Sequence, residues 1–206
     1  MGVALIAVLV VCAVLAGQSA GSTDFARVAP QEMADRVLKH SQEAYDVLGF
    51  TRTVRPGVER VGVGPENTLG ADYCYDGGTF GLEDKTVDGA YRMSHEWALD
   101  KVPASRAVPG LRRLHRRLVD EGWEVTSYHE GGKDGRPGDW SLYVQKDGGD
   151  ERMSFDWYPD RGYFTGGATA PCAYDPGWDG SGGQAYYPDD AARSVSLPDL
   201  APSAAQ

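Results

Sequence analysis

The stretch "AYRMSHEWALDKV", residues 90–102, admits two incompatible readings that the spacing of its apolar residues separates. As a helix, His95 and Glu96 would open the zinc-protease pattern HExxH, in which two histidines one turn apart bind metal and the Glu activates water. Leu99 stands where the second histidine is required. As a strand, Tyr91, Met93, His95, Trp97 and Leu99 alternate with Arg92, Ser94, Glu96, Ala98 and Asp100, the period-two signature of one buried face. At ~3.3 Å per residue, positions 95 and 99 of a strand lie more than ~10 Å apart, too far to share one ion. The stretch is expected to be a strand with His95 on its packed face and no metal.

Working outward, "PQEMADRVLKHSQEAYDVLG" upstream has Pro30 at a helix start, Gly49 at its stop, and Met33, Val37, Ala44, Val47 and Leu48 at helical spacing. Downstream, "PASRAVPGLRRLHRRLVDEGW" sets Leu111, Leu114 and Leu118 along one stripe and ends at Gly122. Strand signals follow around Glu124–Tyr128, Trp140–Lys146, Arg152–Tyr158 and Tyr163–Ala170, separated by "GGKDGRPGD", "DGGD" and "PDRG", which tolerate turn geometry. Between the first helix and the sheet, "TRTVRPGVERVGVGPENTLG" reads as a Pro/Gly-broken connection with a short strand around Glu59–Val63. Hairpins joined in sequence imply an antiparallel sheet. The expected fold is α+β: a two-layer sandwich, an antiparallel sheet with one or two helices packed on one face.

The ends differ from this body. Residues 2–17, "GVALIAVLVVCAVLAG", carry no charge and are followed by small polar residues, with Val14 and Ala16 forming an A-x-A-like cleavage site. Shorter than the ~20 residues that span a bilayer comfortably, the run fits a secretory signal or a minimal membrane anchor. It lacks a preceding Lys or Arg, so a start upstream of Met1 is expected to supply the basic residues of a signal. Residues 1–22 are thus read as signal peptide or anchor, 23–174 as an extracytoplasmic α+β domain, and 175–206, rich in Gly, Pro, Ser and Asp, as a flexible tail. Trp178, Tyr186 and Tyr187 are the residues able to dock that tail locally.

Outside the apolar run two cysteines remain, Cys74 and Cys172, with no CxxC and no zinc spacing. A disulfide is the economical reading, and it requires an oxidising compartment. Arg27, Arg36 and Lys39 after the apolar run favour a cytoplasmic body on the positive-inside rule, against the cysteines. The cysteine pair and the apolar run together place the domain outside the cytoplasm, secreted or tethered to the membrane.

"YCYDGG", "HEWALDKV", "LRRLHRRLVDEGWEV", "WSLYVQKDGGDERMSFDW" and a closing "GYFTGGATAPC" together resemble small exported or membrane-anchored proteins of high-GC Gram-positive bacteria. The resemblance runs from Tyr73 to Cys172. It implies an envelope location and an α+β domain, and it brings no catalytic residue.

The remaining motifs fail on particular positions. "DGSGG" at 179–183 transposes the GDSGG of serine proteases, and Ser181 has no histidine within fifty residues upstream in sequence. "DPGWDG" at 175–180 has Asp175 and Asp179 at calcium-loop positions, but Gly177 and Tyr186 replace the oxygen ligands needed at the third and twelfth. "KDGGDE" at 146–151 reads as a solvated turn. "VGVGPENTLG" at 61–70 has Asn67 in place of the third dinucleotide-loop glycine. No cofactor is expected. A net charge of −10 excludes a nucleic-acid binder that relies on a concentrated positive surface.

Two surface features remain. In "RRLHRR", Arg112, Arg113, Arg116 and Arg117 form a basic face opposite the leucine stripe, suited to anionic lipid or an anionic wall polymer, or simply solvated and paired with Asp120 and Glu121. Trp97, Trp123, Trp140, Trp157 and Tyr143 are expected to fill the core, an exposed row of them being the alternative contact surface for glycan or protein. Carboxylate pairs such as Glu96 with Asp156 carry no weight without geometry. The expected function is a non-enzymatic exported module that binds an envelope component, whether protein, glycan or anionic polymer, with membrane contact through an uncleaved N-terminal segment. The alternative is a secreted hydrolase using His95 or His115 with a carboxylate.

Overall fold

The computed structural model describes residues 25–76, 85–132, 138–180, 183 and 185–203. The apolar segment of residues 2–17 and Ser181 lie outside the described residues, and among those described no helix is long and apolar enough to cross a membrane. Among the described residues the fold is mixed α/β, with one nine-stranded sheet and three α-helices. In chain order these are β1 (Ala26–Arg27), α1 (Pro30–Leu48), β2 (Gly57–Val58), β3 (Glu66–Asp76), β4 (Lys85–Leu99), α2 (Ala104–Asp120), β5 (Glu124–Glu130), β6 (Trp140–Lys146), β7 (Glu151–Tyr158), β8 (Tyr163–Thr169), β9 (Ala173–Tyr174) and α3 (Pro188–Arg193).

The 15-residue strand β4 organises the sheet. Antiparallel β3 pairs along one edge of β4, while β8 and then β9 share the other, and β7, β6 and β5 continue outward from β8 as an antiparallel meander. The parallel pair is β1 with β9. The alternation expected of residues 91–99 holds up to Trp97, with Tyr91, Met93, His95 and Trp97 buried and Glu96 exposed, but it ends there, because Ala98, expected outward, is buried along with Leu99.

Trp97 anchors the core. Its indole meets Tyr45 of α1 edge-on at 5.2 Å between ring centres, stacks on Phe164 of β8 at 5.7 Å, and lies against Phe50 and Phe155. Fully burying a side chain of this size contributes roughly 1.5–3 kcal/mol. Directly across the ladder stands Gly166, where a Cβ would come within 2.2 Å of the indole, so this position must lack a side chain.

Both long helices form where their spacing predicts. α1 ends at Gly49, whose φ of 75° is the left-handed conformation that lets its N–H turn back to Tyr45 O and Asp46 O. α2 packs on α1 and carries Pro109 at its sixth position, past the first turn, so the helix forgoes the hydrogen bond that a residue there would donate to Ser105 O. Arg113 of α2 donates to Val47 O and Leu48 O, satisfying the last carbonyls of α1.

Three expectations need correcting. The strand anticipated around Glu59–Val63 is instead a turn with Val61 exposed, preceded by two-residue β2. The 11-residue β3, interrupted by a register shift between Tyr73 and Tyr75, was not anticipated, because Asn67, Thr68 and Gly70 break the apolar alternation. The described residues after 174, a stretch expected as a flexible tail, pack on the body. Trp178 covers Gly89, α3 buries Ala191 and Ala192, and Leu200 is buried. Leu200 also exchanges both main-chain hydrogen bonds with Val54, at 2.8 and 2.9 Å.

Cys74 of β3 and Cys172, just ahead of β9, form a disulfide across 98 residues of sequence. It links the two strands that flank β4 near its start.

Candidate functional site

A concave site lies between α1, α2 and the sheet, a crevice of about 470 Å³. Its formation follows from helical periodicity. On α1, His40, Glu43, Ala44 and Val47 stand at i, i+3, i+4 and i+7, as do Leu114, Arg117, Leu118 and Glu121 on and just after α2. Ala44, Val47, Leu114, Leu118 and Met153 give it an apolar floor, and charged groups form the rim. Trp123 is one wall: the His40 ring meets it edge-on at 5.3 Å, and Lys146 Nζ lies 5.4 Å from its ring centre. His40 Nε2 stands 3.5 Å from Glu151 Oε2, while Glu151 Oε1 accepts from Arg36 Nη1 at 3.2 Å. An apolar floor with a few convergent polar groups is the usual composition of a ligand pocket.

A second cavity, of about 390 Å³, opens on another side of α1, beneath the C-terminal segment Pro198–Leu200. His95 and Asn67 stand in its wall, and both are fully buried. His95 Nε2 bonds Asn67 Oδ1 at 2.7 Å, and Asn67 Nδ2 donates to Val54 O at 3.0 Å and Pro198 O at 2.9 Å. Burial pushes the imidazole pKa down to about 4, so the ring is neutral at pH 7.

The four histidines occupy four separate surroundings. His115 stacks on Tyr128 at 4.2 Å, and His129 is exposed on edge strand β5. Neither His95 nor His115 hydrogen-bonds a carboxylate, hydroxyl or thiol among the described residues, so the residues named for a hydrolase are not brought into a nucleophile–base pair. Glu96 and Asp156 are two strands and two residues apart on the sheet, roughly 12 Å between main-chain positions, and no hydrogen bond joins them. Asp156 has its pKa raised by burial, and the Tyr143 hydroxyl donates to it at 2.8 Å. Asp175 accepts from Gly177 N at 2.8 Å and Tyr186 OH at 3.3 Å, which engages it in a local turn. Among the described residues no group of three or more His, Cys, Asp or Glu could hold a metal ion.

The arginines of the basic face diverge. Arg112 forms a two-pronged pair with Glu130, at 3.1 and 2.9 Å, and lies over Trp140 at 5.2 Å. That contact, with the Tyr128 hydroxyl, holds the Glu130 carboxyl below its usual pKa. Arg113 caps α1, and Arg117 bonds Glu121. Arg116 makes no hydrogen bond or ion pair among the described residues. Of the aromatics, Trp97, Trp123 and Trp157 are buried, Trp140 is half-buried and Tyr143 is exposed, so they do not form an exposed row.

The sequence reading missed His40, Glu151 and Asn67. The His40–Glu151 contact joins residues far apart in the chain and has no local signature, whereas a lone Asn within a strand ladder was itself a usable signal, since strand interiors are depleted in Asn. Comparison with protein-family models, with curated proteins and with solved structures finds no match to this chain.

Proposed function

We propose that this chain is an exported binding module of the cell envelope that receives a partner in the crevice between α1 and α2. The observation that carries this reading is the crevice itself, in which an apolar floor and a rim bearing His40, Arg117 and Lys146 against Glu43, Asp46 and Glu121 surround one volume. A rim of both signs fits a partner that presents an apolar group flanked by polar or charged ones, and a protein segment has that chemistry more than a uniformly anionic polymer does. The Cys74–Cys172 bond supports a location in an oxidising compartment, and the apolar residues 2–17 support export or tethering. The resemblance of residues 73–172 to small exported proteins of high-GC Gram-positive bacteria supports the envelope reading. The sheet and helices are read as two layers, with α1, α2 and α3 on one face of the sheet. Support comes from α1 touching α2, α3, β4 and β8, and from the exposed Glu96, Ser154 and Tyr143 sharing one cross-strand row.

The test is backbone NMR of the exported protein titrated in parallel with soluble wall glycan fragments, an anionic wall polymer, and an envelope-protein peptide library, repeated with Ala44→Trp, which fills the floor. Shifts gathered at His40, Val47 and Trp123 and lost in the variant support the crevice. Saturable shifts centred on Arg116 or on the Tyr143 row, unaffected by Ala44→Trp, would refute it.

A further inference from the structure

One cation in the lining of the α1–α2 crevice lacks a counter-charge. Leu142, Val144 and Lys146 share one face of β6 by strand alternation, and the first two are in the core, so Lys146 carries that inward face out to the crevice mouth. Lys146 is half-buried; its Nζ donates to Glu121 O at 3.4 Å and lies over the Trp123 ring, and both of those residues line the crevice. Glu151 stands directly across the ladder from Lys146, where opposite charges ordinarily pair. Its carboxylate is engaged elsewhere, because Arg36 donates to one oxygen at 3.2 Å and His40 stands 3.5 Å from the other.

The other charges of the rim are matched within the protein. Arg117 pairs with Glu121, and Glu43 stands 4.0 Å from Lys39. Asp46 accepts from Gln42 Nε2 at 3.1 Å and from Ser203 N and Oγ at 3.0 and 2.6 Å. Lys146 alone among the lining cations has no carboxylate within ion-pair distance among the described residues. An ammonium whose neighbours are a carbonyl and an indole face gains a charge-assisted hydrogen bond when a ligand carboxylate reaches it. A bare alkyl carboxylate would lay hydrocarbon against Glu43 and Asp46, whereas a peptide brings main-chain N–H donors to those acceptors.

We propose that the crevice selects an acidic protein segment, one that sets an apolar side chain on Ala44, Leu114 and Met153 and the carboxylate of an adjacent Asp or Glu on Lys146 Nζ. This inference rests on the reading of the crevice as a partner site and assigns the partner its charge. Lys146 is the specificity-determining residue, and Trp123 and Glu121 O hold its ammonium at the mouth.

The test is 1H–15N NMR of the full exported chain at low salt, titrated with the peptide acetyl-Ala-Leu-Glu-Ala-amide, its Gln-for-Glu counterpart, and decanoate. The Glu peptide should shift His40, Val47 and Trp123 saturably and bind about threefold or more tightly than the Gln peptide. Lys146→Gln should erase that difference, while Arg116→Gln, which removes an equal charge from the solvated side of α2, should leave it. Equal binding of the two peptides, with shifts still lost in Ala44→Trp, overturns the selection for a carboxylate and leaves the crevice standing as a partner site. A preference that survives Lys146→Gln, the absence of any saturable shift, or tighter binding of decanoate than of the Glu peptide overturns the proposal outright.

Discussion

Gly166→Ala tests the packing of the core most directly. In a strand interior, Ala is ordinarily favoured over Gly by roughly 0.5–1 kcal/mol. Here the new methyl would fall 2.2 Å from one indole atom of Trp97 and 2.4 Å from another. The indole has no room to retreat, being hemmed by Tyr45, Phe50, Phe155 and Phe164. Overpacking of this kind costs typically 1–3 kcal/mol, and this contact belongs at the upper end. After the strand preference is subtracted, a net loss of about 2 kcal/mol remains, or roughly 4–8 °C in Tm for a domain of this size. Urea denaturation followed by tryptophan fluorescence and circular dichroism measures it. The clash is with six-membered-ring atoms of the indole, so Trp97→Phe should remove it. In that background, Gly166→Ala should become neutral or mildly stabilising, a coupling of about 2 kcal/mol in a double-mutant cycle. Equal cost in both backgrounds would refute the account of why glycine occupies position 166.

Replacing Cys74 and Cys172 by Ala opens a loop spanning 98 positions, for which chain entropy gives an upper figure of about 4.7 kcal/mol; Tm in non-reducing buffer should fall by about 10 °C or more, and an unchanged Tm would contradict it. His95 titrates near 4 when folded against about 6.5 when unfolded, so only the unfolded chain gains the proton between those values: its contribution is intact above pH 6.5 and stability falls as pH drops toward 4. Between pH 7 and 5.5 the native protein should therefore lose about 1 kcal/mol more than His95→Gln in urea titrations, and parallel losses would exclude a buried neutral imidazole. Arg113→Ala should cost about 1 kcal/mol through the carbonyls at the end of α1, whereas Arg116→Ala should stay within about 0.5 kcal/mol of native; thermal melts of the two variants distinguish a cap from a solvated face.

Legibility in the sequence followed the range of the physical signal. The alternation in residues 91–99 and the leucine stripe of α2 depend on neighbours within a few residues, and both elements stand where that periodicity put them. Cys74 and Cys172 were legible because only two cysteines lay outside the apolar run. β3 was hidden because it carries Asn67 and Gly70 inward of its ends, and the Asn serves a side-chain network rather than the strand. The C-terminal segment had the composition of a disordered tail. Its order comes from bonds to distant partners, among them Gln42 Nε2 to Ala201 O at 2.7 Å and Ser203 Oγ to Asp46 Oδ2 at 2.6 Å. The α1–α2 crevice was invisible for the same reason, since each helix supplies half of it and nothing local says which halves will meet.

The position of β4 governs the order in which the chain can be completed. This strand emerges at residues 85–99, but the partners along one of its edges, β8 and β9, arrive only with residues 163–174. A chain delivered from its N-terminus therefore holds a long strand with an open hydrogen-bonding edge until most of the sequence has followed. Closure of loops of that length places folding toward the slower, millisecond-to-second range of β-rich domains. During that interval the bare edge of β4 is the surface most exposed to pairing with another copy, and pairing of β8 and β9 is the event that removes it.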